Sequence, residues 1–81
     1  MKSVEKILQC FEGTSITNMS QLSIALGRNR VTASRWNAER VPGKKKGCGG
    51  EVPRIGDNIA SIKILAALHD VELPLEVWFN D

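Results

Sequence analysis

The sequence predicts an all-α fold, and three observations carry that expectation. Apolar residues recur at helical spacing in successive segments. No stretch alternates with period two for long enough to form a strand. Glycine, proline and capping residues separate the segments. The 81 residues suit one domain, taken as residues 1–81, with a single modest core. There is no internal repeat.

Lys2–Glu12 reads as an amphipathic helix. Val4, Ile7, Leu8 and Phe11 fall at i, i+3, i+4 and i+7, with Ser3 as N-cap and Gly13 as the C′ stop. Asn18–Leu26 reads as a second helix: Asn18 caps it, Gln21 completes a capping-box pattern, and Leu22, Ala25 and Leu26 form the inward stripe. Gly27 ends it. A third helix follows over Arg30–Glu39, capped by Asn29, with Ala33 and Trp36 facing the core. Val41–Pro53 is a loop, punctuated by Pro42, Gly43, Gly47, Gly49, Gly50 and Pro53. A fourth helix runs to His69 from a start that is either Pro53 at N1 or Asp57 at N-cap. Ile55, Ile59, Ile62, Ala66 and His69 have helical spacing, and Leu65 and Leu68 widen the stripe. Leu73–Phe79 makes a last short helix, the fifth.

The net charge of +2 conceals a division. Residues 28–54 carry eight basic side chains against two acidic ones, a net +6, and the remainder is −4. A basic segment on an otherwise acidic chain is the electrostatic footprint of a polyanion partner. It coincides with a spacing that has a geometric use. Two short helices joined by Gly27-Arg28-Asn29 form a helix-turn-helix pattern. A helix fits the major groove of duplex DNA only if held at a fixed angle, and the preceding helix supplies that brace. On the second helix Arg30, Val31, Ser34, Arg35 and Ala38 share the face opposite Ala33 and Trp36. Arginine forks onto guanine O6 and N7, a small apolar group meets a thymine methyl, and a serine hydroxyl bonds a base or a phosphate. Arg30, Val31, Ser34 and Arg35 are therefore the candidate base readers. Arg28, Asn29 and Thr32 at the turn, with Lys44, Lys45 and Lys46 on the loop, are candidate phosphate contacts.

The residues Gln21-Leu22-Ser23-Ile24-Ala25-Leu26-Gly27, Val31-Thr32-Ala33-Ser34-Arg35-Trp36 and Val41-Pro42 resemble the N-terminal DNA-binding domains of lambdoid phage repressors and the related Cro-type regulators. Val71–Phe79 is similar to the helix that closes such domains. The resemblance implies a compact five-helix lambda-repressor-like domain that binds an operator as a homodimer and regulates transcription. Leu75, Trp78 and Phe79 either close the core or anchor a second subunit. Two departures stand out. Arg28 follows the turn glycine where the family has an apolar residue, and Gly43–Val52 is inserted ahead of the fourth helix.

Other function classes fit less well. The longest apolar run, Ile64–Leu68, is far short of the roughly 18–20 residues of a membrane span. One histidine and two distant cysteines, Cys10 and Cys48, make neither a zinc site nor a disulfide framework, which points to a cytoplasmic setting. No cofactor or small-molecule substrate is expected. Cys48 beside lysines has the setting of a reactive thiol, but no base accompanies it, and His69 suits a helix C-terminus, so an enzyme is not expected. The alternative from another class is a protein-interaction module on the same fold, antitoxin-like or anti-repressor, binding its partner through Leu73–Phe79.

Overall fold

A computed structural model describes residues 1–41, 43 and 47–81. Among them there are four α-helices and no strand: α1 (Ser3–Cys10), α2 (Met19–Ala25), α3 (Thr32–Asn37) and α4 (Asn58–Leu68). The expected fifth helix is a single 3-10 turn, Leu75–Trp78, which follows Pro74 and inserts Val77 into the core. The buried apolar residues form one cluster, built from Val4 and Ile7 of α1 with Phe11 just after it, Leu22, Ala33 and Trp36, Ile62, Leu65 and Ala66 of α4, and Ile16, Val52 and Val77. The second helix packs on the third, and α1 packs on both α3 and the C-terminal turn.

Ser3 is not the cap of α1. Lys2 holds that position, and its N–H donates to the Glu5 carboxylate at 2.9 Å. Ser3 is instead buried in the first turn, where its N–H donates to Asn80 Oδ1 and its hydroxyl to the Val77 carbonyl. The helix start thus fastens the C-terminal segment. In α2, Asn18 Oδ1 accepts the Gln21 N–H at 2.8 Å as expected. The Gln21 side chain reaches one residue further back than a capping box requires, accepting from the N–H and hydroxyl of Thr17. Ala25 is exposed and Leu26 half-buried, because the face of α2 that meets α3 runs through Leu22 and Ser23.

The fourth helix starts after Asp57 rather than at Pro53. Gly56 adopts φ +67°, a left-handed conformation that a right-handed helix cannot pass through, so Ile55 stays outside the helix and 77% exposed. At its other end Asp70 takes φ 54° while its N–H donates to the Ala67 carbonyl and the Val71 N–H to that of Ala66. These two bonds are a Schellman closure, made here on aspartate instead of glycine. His69 holds the C-cap position, its ring edge-on to Phe11 at 6.0 Å. Leu68, expected on the core stripe, is 78% exposed.

Candidate nucleic-acid interface

The third helix is shorter than its sequence pattern suggests, and both of its ends are held by groups outside it. At the leading end, Asn29 folds the chain into a tight turn: its side-chain oxygen accepts the Val31 N–H at 3.1 Å and its carbonyl the Thr32 N–H at 2.9 Å. Arg30 and Val31 therefore lie in that turn and not on the helix. The Ala33 N–H, a first-turn donor with no partner within the helix, donates to Ser23 Oγ at 2.8 Å, and Ser23 in turn donates to the Met19 carbonyl. One buried hydroxyl thus locks the start of α3 onto α2. Gly27 turns the chain between them at φ +75°.

At the trailing end the glycine-rich loop supplies the cap. The N–H groups of Cys48, Gly50 and Gly49 donate to the carbonyls of Arg35, Trp36 and Ala38 at 3.2, 2.9 and 2.9 Å, and Lys2 Nζ donates to that of Asn37. The last carbonyls of α3 are thereby satisfied. Gly47 is required by the approach, since a Cβ there would stand 2.4 Å from the Glu39 carbonyl oxygen. Gly50 then accepts the Val4 N–H at 2.9 Å, joining the loop to α1. Cys48, half-buried, packs against the core.

With its ends held, α3 buries Ala33 and Trp36 and exposes Ser34 and Arg35; Ala38 is exposed just after it, and Arg30 and Asn29 just ahead of it. Val31 and Thr32 are half-buried on the wall of an open groove shared with Ser34, Arg35, Gly47 and Cys48. The described residues make ion pairs at Met1–Asp81, Lys6–Asp81 and Arg28–Asp57, none of which involves Arg30, Arg35 or Arg40. Three guanidinium groups thus stand free of acidic partners on and beside one short helix.

Arg28 is placed differently. It is half-buried and bridges to the start of α4, one terminal nitrogen donating to Asn58 Oδ1 and the other to Asp57 Oδ1, each at 2.8 Å. Asn58, itself buried, passes the bonds on to the carbonyls of Pro53 and Ile55. The charge after the turn glycine is thus a brace between the turn and α4. Lys44, Lys45 and Lys46 lie outside the described residues. Of the C-terminal candidates, Trp78 is half-buried on the core, Leu75 is 77% exposed, and Phe79 is partly covered by Arg54, whose guanidinium lies 5.1 Å from the ring centre.

Sequence reasoning missed Ser23 and the Gly47–Gly50 cap. The glycine pattern was a visible sign of the second; nothing in the spacing marked the first. No family model, no curated protein and no solved structure matches the chain.

Proposed function

We propose that the chain is a sequence-specific double-stranded-DNA-binding transcriptional regulator, of the phage or prophage repressor or Cro type that its residues resemble. In this reading α2 and α3 act as a helix-turn-helix and α3 enters the major groove. One observation carries it: a short helix, fixed at its start by Ser23 and at its end by the inserted loop, turns Ser34 and Arg35 outward, with Arg30 exposed just ahead of it. Direct readout requires such fixed geometry, because a bidentate arginine–guanine pair tolerates little misplacement. Arg30, Ser34 and Arg35 contact base edges, with Val31 beside them for a thymine methyl. Asn29 and Thr32 contact phosphate at the helix start. Arg28 is reserved for the scaffold by its two bonds to the start of α4.

Selection of bound sites from random duplexes, followed by a salt titration, tests the reading. The expected outcome is one enriched site and log affinity that falls linearly with log salt. A flat salt response with no enriched site sinks it and favours a partner-binding module. On the selected site, Arg35→Ala costs about 1–3 kcal/mol and relaxes preference at one base pair. A loss that is uniform across sequences assigns Arg35 to phosphate instead.

A further inference from the structure

The loop that caps α3 is itself held from the far end of the chain. Gly49 and Gly50 take φ of +73° and +97°. Glycines have little conformational preference of their own, so contacts from outside must fix them. Asn80 grips the loop on both sides of Gly50. Its side-chain Nδ2 donates to the Gly49 carbonyl at 2.8 Å, and its backbone N–H donates to the Glu51 carboxylate at 3.2 Å. Its Oδ1 accepts the Ser3 N–H at 2.8 Å, which anchors the same amide to the start of α1. The Ser3 N–H can only donate and the Gly49 carbonyl can only accept. An asparagine amide meets both, whereas an aspartate of the same shape meets only the first.

We propose that Asn80 is a positioning residue for the trailing end of α3, coupling the C-terminal segment to the helix that carries Ser34 and Arg35. The Gly49 carbonyl and the Gly50 N–H belong to one planar peptide group. Asn80 holds that group by its oxygen, while its N–H caps the Trp36 carbonyl at 2.9 Å. The two bonds leave opposite edges of one rigid unit, so a rotation that breaks the first also pulls the second out of line. The Gly49 N–H caps the Ala38 carbonyl, and the Cys48 N–H, one residue earlier, caps that of Arg35. Loosening this peptide therefore loosens the last turn of α3, from which Arg35 projects. Asn80 is exposed and uncharged, so it sets the aim of that turn without adding to any attraction for a polyanion. The effect on binding rests on the reading that α3 meets DNA; the coupling itself does not.

Amide hydrogen exchange of the full chain, wild type against Asn80→Asp and Asn80→Ala, tests the coupling. Both variants should speed exchange of the Gly50 amide by about two- to tenfold, the worth of one hydrogen bond, with the amides of α4 unchanged. Asp81→Asn, which releases the same segment from Lys6 but keeps the three Asn80 bonds, should leave the Gly50 amide as it is. Asn80→Ala, which changes no charge, is then compared with wild type on a selected and an unrelated duplex. Affinity for the selected duplex should fall by a similar factor, while affinity for the unrelated one and the salt slope stay the same. Unchanged Gly50 exchange in either Asn80 variant overturns the coupling. A loss equal on both duplexes, or no loss, overturns the positioning role. Faster exchange beside a wild type that selects no duplex keeps the coupling and refutes the DNA reading. Unchanged exchange beside a wild type that selects one duplex does the reverse.

Discussion

The helices α1 and α4 are both part of the core, yet they treat their outer faces in opposite ways. The outer side of α1 is polar, and several of its groups have intramolecular work: Lys6 donates to the Phe79 and Glu76 carbonyls and pairs with Asp81, while Glu5 accepts from Lys2 and Asn37. That side is occupied by the chain's own C-terminal segment. The outer side of α4 carries isoleucine and leucine that touch nothing comparable. Amphipathicity in α1 is thus a complete instruction, fulfilled within one copy, whereas the excess apolar surface of α4 is unexplained by the fold that contains it.

Truncations on the two helices make the difference measurable. The largest effect belongs to Phe11, which follows α1 and is fully buried: Phe11→Ala should cost about 3–5 kcal/mol in denaturant unfolding, enough to unfold much of a domain this small. A sharper contrast lies within α4, between two residues of the same type. Ile62 is fully buried and Ile64 is 62% exposed. Ile62→Ala should cost about 2–5 kcal/mol. Ile64→Ala should change stability by no more than about 0.5 kcal/mol. Equal losses at the two positions would show that the outer face of α4 is covered within the monomer, and the contrast between the helices would collapse.

The same contrast explains how much could be read from the chain. The stripe Val4, Ile7, Phe11 faces inward because α1 has only one apolar side, so periodicity alone orients it. In α4 nearly every position is apolar, so the period gives no direction, and Leu68 and Ile55 were assigned inward although both are exposed. The candidate interface was legible in the same partial way. Outward Ser34 and Arg35 and inward Trp36 follow from helical spacing. That α3 starts at Thr32 does not, because it is set by the Asn29 turn and by a hydroxyl on another helix. Arg28 looked like a free cation because its partners, Asp57 and Asn58, are about thirty residues away. The glycines after Val41 announced a loop. Which carbonyls their amides would cap is a property of backbone position, on which side-chain chemistry is silent.

The smallest expected effect separates the two helices by pH. Asp81 is tied to α1 through Lys6 Nζ and through the chain's N-terminal ammonium, and these hydrogen bonds hold its carboxyl down to about 2. Glu5 is lowered too, chiefly by the Lys2 N–H and then by the Asn37 amide. A carboxyl depressed in the folded state contributes stability above its unfolded value, and loses that contribution as pH falls through the folded value. The fastening of α1 to the C-terminal segment should therefore weaken as pH drops from about 4 toward 2. The C-terminal closure of α4, by contrast, is made by the backbone N–H groups of Asp70 and Val71. Asp81 is exposed and Glu5 half-buried, both at the surface, so the change is modest and reduced further by salt. Thermal unfolding of the wild type and of Asp81→Asn across this range should converge at low pH, the variant having lost in advance what acid removes. Parallel curves would show that Asp81 contributes nothing to holding α1 and the C-terminal segment together.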